Sequence, residues 1–98
     1  MALTLTNRET FEVLAWLESD PARIAQIRDH ARRLAREERA IALPRLSDII
    51  YETLEQGLPG VDGVAAALMQ AGLKRVNFFE LALAFLIETG AELEARAA

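Results

Sequence analysis

The stretch NFFELALAFLIETGAELEAR, residues 77–96, decides the architecture. Asn77 followed three residues later by Glu80 is a helix-start pattern, in which a short polar side chain accepts a hydrogen bond from an orphan backbone amide. At about 100° per residue, Phe78, Phe79, Ala82, Phe85, Leu86 and Leu93 fall on one broad stripe. Leu81, Leu83 and Ile87 lie outside it, so only Glu80, Ala84 and Glu88 are left as a narrow polar strip. Roughly two thirds of the circumference is apolar, and a helix of that kind must be covered on nearly every side. Either the rest of this chain surrounds it as a central core helix, or a second copy covers the surplus. Phe79, Leu83, Leu86 and Ile87 are the candidate seam of such a homodimer.

What precedes this stretch is also helical. Thr6 with Glu9 reads as a capping box opening a first helix over about 7–19, with Thr10, Val13, Leu14 and Leu17 on its inner face. Asp20-Pro21 is a fresh N-cap with proline at the first helical position, where no donor is lost. The second predicted helix, 21–42, carries Ile24, Ile27, Ala31, Leu34 and Ala35 on one stripe, with Asp29/Arg33 and Arg33/Glu37 as pairs four apart. Leu43-Pro44 is expected to end it, since proline lacks the amide donor and disfavours helical geometry in the preceding residue. A third helix over 45–56 turns Leu46, Ile49, Ile50, Thr53 and Leu54 inward, with Gly57 as a left-handed terminator. After the Leu58-Pro59-Gly60 turn, a fourth helix over 61–71 has Val64, Ala65, Leu68 and Met69 as its inner set and Gly72 as its stop. The reading is one all-α domain over residues 1–98, a compact bundle of about five helices including 78–96.

Ninety-eight residues support one core, and a chain that is 52% hydrophobic has ample apolar surface for it. Without cysteine there is no disulfide, thiolate zinc site or thiol nucleophile, and one histidine makes a poor basis for a metal site. The longest apolar run, Leu81 to Ile87, is far short of the ~20 residues that span a bilayer, and residues 1–5 lack a secretory pattern. A cytoplasmic location without membrane insertion is therefore expected.

Side chains able to carry chemistry are sparse. His30 reads as a surface or boundary residue without convergent partners, Ser19 and Ser47 as capping residues at helix ends, and Glu52/Glu55 and Glu88/Glu92 as solvated helix charges. No catalytic, metal or cofactor site is expected, and the chain is not read as an enzyme. The net charge of −4 is segregated, because residues 21–45 hold seven arginines against Asp29, Glu37 and Glu38. On a continuous second helix, Arg28, Arg32, Arg36 and Arg39 fall within about an 80° arc. Such a ridge suits phosphate or carboxylate partners. Trp16, at the edge of the first helix's apolar face, is either laid over a neighbouring helix or an interface anchor. A helix-turn-helix reading of the last two helices fails, since a groove-reading helix does not begin Phe78-Phe79.

The functional expectation is a small interaction module, an adaptor, inhibitor or regulatory accessory protein, homodimeric through its last helix and binding another protein through Trp16 and the arginine ridge. The alternative is a nucleic-acid-binding regulator using that ridge.

Overall fold

The computed structural model describes residues 7–57 and 63–97. Among them are five α-helices and no strand: α1 (Arg8–Glu18), α2 (Pro21–Leu34), α3 (Arg39–Gly57), α4 (Gly63–Arg75) and α5 (Phe78–Ala97). The expected all-α bundle is what the chain forms. None of these helices is long and apolar enough to cross a membrane.

Local chemistry sets most of the helix starts. Asn7 caps α1, its Oδ1 accepting from the Thr10 amide at 2.9 Å; the expected cap Thr6 lies outside the described residues. Asp20 caps α2 by accepting from the Ala22 amide at 3.0 Å, with Pro21 in the first turn. Asn77 caps α5 as its spacing predicts, accepting from the Glu80 amide at 3.1 Å.

The boundary between α2 and α3 differs from expectation. The chain turns at residues 35–38, and α3 runs from Arg39 straight through Pro44. The stripe Ile24, Ile27, Ala31, Leu34 would, if continued, bring Glu38 onto the buried face. Turning there instead lets Ala42, Leu46, Ile50 and Leu54 form a new stripe spaced by four. Pro44 sits on the opposite, exposed face, so its missing amide interrupts a solvated side of the helix. Ser47, expected to cap a helix end, is instead buried in the middle of α3, donating to the Leu43 carbonyl at 2.8 Å.

The core is built by α1, α2, α3 and α5. Val13 and Leu17 from α1, the α2 and α3 stripes, and Leu81, Ala82, Phe85 and Leu86 from α5 form one buried cluster. α5 packs against α1, α2 and α3, which makes it the central helix. Leu81, expected outside its main stripe, is fully buried, whereas Phe79 is exposed. Each fully buried Leu, Ile or Phe in such a cluster is worth about 1.5–3 kcal/mol.

Candidate interaction site

Among the described residues, the two most exposed large apolar side chains, Val64 and Leu68, lie on α4. Eight of its thirteen residues are apolar, it contains no acidic residue, and none of it is buried. Alanine-rich sequence makes it helical, but an isolated helix of this length is marginal in water and depends on packing. Its inner side, Ala66, Met69, Gly72 and Leu73, is half-buried, and its main packing partner is α1. Its outer side carries Val64 and Leu68, 78% and 68% exposed, flanked by exposed Ala67 and Ala71. The expected inner set is thus corrected. Val64, Ala65 and Leu68 point away from the fold, and only Met69 turns toward it. A helix apolar on both sides has no periodicity from which its phase can be read.

Between α4, α1 and the end of α3 runs a crevice of about 230 Å³. Val13, Trp16, Leu54, Met69, Leu73 and Val76 line it, with Glu9 and Glu12 also on its border. Trp16 is held rigidly. The Arg23 guanidinium stacks 3.6 Å from its ring centroid and also donates to the Trp16 carbonyl and, at 3.0 Å, to Ser19 Oγ. On another side the ring closes on Gly57, where an added Cβ would lie 2.5 Å from Cζ2. Gly57 is therefore required by this close approach. It is not a left-handed terminator, because Gly63 alone among the described residues has positive φ.

The lower end of α4 is clipped to α1 and α5 by a polar cluster absent from the sequence reading. Asn7 Nδ2 donates to the Arg75 carbonyl at 2.6 Å. The fully buried Thr10 donates through Oγ1 to Asn7 Oδ1 at 2.7 Å and accepts from the Asn77 amide at 2.8 Å. Arg75 Nη1 also lies 3.4 Å from Glu9 Oε1. α4 itself runs past Gly72 to Arg75, since Gly72 does not take the left-handed conformation that would end the helix there.

The expected seam on α5 divides. Leu86 is 3% exposed and belongs to the core, because α2 and α3 close over that side of α5. Phe79 and Ile87 are 54% and 44% exposed, with Leu83 half-buried between them. These three form a strip along the outer surface of α5.

The arginine ridge is also divided. Arg28 and Arg32 stay on α2, Arg36 falls in the turn, and Arg39 opens α3, so no single helix presents all four. Arg28 Nε stands 3.2 Å from Glu88 Oε1 of α5, and Arg33 pairs with Asp29. Arg32, Arg33 and Arg36 line a shallow concavity at the end of α2, where cations complement the negative end of the helix dipole. His30 is half-buried, as expected for a boundary residue. Among the described residues no group of three His, Asp or Glu side chains could hold a metal ion. Tyr51 stacks edge-on against Phe78, centroids 5.3 Å apart. Its hydroxyl hydrogen-bonds to Glu55, whose carboxylate raises the phenol above its ordinary value of 10.0.

No protein-family model, curated protein or solved structure matches this chain.

Proposed function

We propose that this chain is a small, non-catalytic interaction module that pairs with a second copy of itself across the outer face of α4. The observation that carries the reading is a helix of eight apolar residues without one buried side chain. Val64 and Leu68 are the most exposed large hydrophobic side chains among the described residues, and they sit one turn apart.

A second copy fits because the face is self-complementary. With a two-fold axis between Ala67 and Leu68, an antiparallel pairing sets Val64 of each copy against Ala71 of the other and Leu68 against Ala67. Large side chains then meet small ones, and no charge lies on the face between Gly63 and Lys74. Two short helices bury less than the ~1,200–2,000 Å² of a standard stable interface, so the pairing is weak and set by concentration. Such reversible pairing suits a regulatory accessory protein acting in the cytoplasm on another protein.

A second reading places the seam on the α5 strip, favoured by the exposure of Phe79 and Ile87. Sedimentation equilibrium over a wide concentration range separates the two. Wild-type protein is expected to self-associate, and the Val64→Glu/Leu68→Glu variant to stay monomeric with its thermal midpoint unchanged. Loss of association in Phe79→Glu/Ile87→Glu alone moves the seam to α5, and a wild-type chain monomeric throughout refutes self-pairing.

A further inference from the structure

We infer that α4 is a flap, a unit that opens by local unfolding from an otherwise intact fold and uncovers the crevice over Trp16, both its ends remaining tied into the chain. The inference concerns the inner face of α4 and holds whether or not a second copy covers the outer one.

The two walls of the crevice are unequal. Val13 and Leu54 belong to the buried core, and Trp16 is pinned by Arg23 and Gly57. The α4 wall, Met69, Gly72 and Leu73, is only half-buried, and no buried core residue comes from α4. Opening α4 therefore uncovers Val13 and Leu54 but draws no buried side chain of α2, α3 or α5 out with it. Units with few buried apolar contacts open with free energies well below that of global unfolding.

The two ends of the helix are held differently, one loosely and one by a clasp. At its start Gly63 has φ +64°, with nothing within 4 Å of where a Cβ would stand, a backbone state glycine adopts cheaply. At its end the hydrogen bond from Asn7 Nδ2 to the Arg75 carbonyl holds the last turn against the cap of α1. The Asn77 amide is fixed two residues further on by the buried Thr10 hydroxyl. α4 is fastened at its C-terminal end and lightly held along its length.

Asn7→Ser tests the clasp without removing the cap, because serine still accepts from the Thr10 amide but cannot reach the Arg75 carbonyl. Native-state hydrogen exchange is measured at concentrations where the chain is monomeric. The α4 amides are expected to exchange together, at least a hundredfold faster than the most protected amides of α3 and α5. Asn7→Ser is expected to speed α4 about fivefold, the ordinary worth of one hydrogen bond, and leave α3 and α5 unchanged. The chain has no cysteine, so Leu73→Cys gives a second readout, its thiol modification following the opening of α4 and accelerating with Asn7→Ser. Exchange of α4 at the rate of the slowest core amides overturns the flap. So does an Asn7→Ser effect spread equally over all helices. Self-association can fail its own test with these outcomes unchanged.

Discussion

Gly57 and Gly72 are both helical, yet an added methyl meets opposite surroundings. At Gly57 it would stand 2.5 and 2.7 Å from two ring atoms of Trp16, and the Arg23 stack keeps that ring from retreating. Gly57→Ala is expected to destabilise the protein by about 1–3 kcal/mol, the usual range for overpacking, and to shift Trp16 emission. At Gly72 the methyl meets open space, so Gly72→Ala gains about 0.5–1 kcal/mol from the lower helix cost of alanine. Urea unfolding of both variants checks the pair, and equal signs would refute the account of Gly57. Tyr51 offers a pH test. The neutral phenol hydrogen-bonds to Glu55, and the phenolate would face its charge, so the folded chain favours the protonated form. That contribution is complete below the ordinary value of 10.0 and is lost as pH rises through the higher folded one. As the only tyrosine, Tyr51 can be titrated by ultraviolet absorbance. Glu55→Gln is expected to lower its midpoint, and an unmoved midpoint excludes Glu55 as the cause.

Three of the five helices begin where short-range chemistry dictates, whereas the boundary between α2 and α3 is set by tertiary burial. Asp20-Pro21 and Asn77 were legible because a cap is satisfied within three residues. The end of α2 was not. An interior proline costs about 3 kcal/mol locally, and that penalty marks Leu43-Pro44 as a break in any local reading. What outweighs it is the four-residue repeat Ala42, Leu46, Ile50, Leu54, all buried in a core whose other walls are remote in sequence. Pro44 is retained on the exposed side of α3 at a standing cost. Pro44→Ala is accordingly expected to restore the missing backbone bond and raise stability by about 1–3 kcal/mol, seen as a higher thermal midpoint with no change in helix boundaries. A lower midpoint would show that the proline ring, which borders a cavity with Tyr51 and Phe79, contributes packing that outweighs the lost bond. The same divide explains the arginines. Their common arc depended on one continuous helix, and the turn at residues 35–38 separates Arg36 and Arg39 from Arg28 and Arg32.

At the scale of the whole molecule, the question raised by residues 77–96 was whether this chain or another covers the surplus apolar face. Three helices close over α5, so its core-facing side is internal, and the most exposed large apolar side chains are those of α4, whose sequence is less hydrophobic in aggregate but has fewer neighbours. Sequence shows how much apolar surface a helix has. It does not show how many helices will reach it, which is why Val64 and Leu68 were expected inside and Leu86 was a candidate for the seam. Substitutions along about two turns of α5 make the distinction measurable. Leu86→Ala removes a side chain enclosed on all sides and is expected to cost 2–5 kcal/mol by transfer and cavity terms together. Phe79→Ala and Ile87→Ala trim side chains that already face water over about half their surface, and each is expected to cost clearly less, on the order of 1 kcal/mol. Denaturant unfolding at low protein concentration gives these values for the monomer. Repeating it at high concentration tests whether the exposed pair gains from association. A cost for Phe79 and Ile87 that grows with concentration, while that of Leu86 stays constant, would place a second copy on α5. Equal costs at both concentrations, with Leu68→Ala costing more only at the higher one, would place it on α4, where the most exposed large apolar side chains lie.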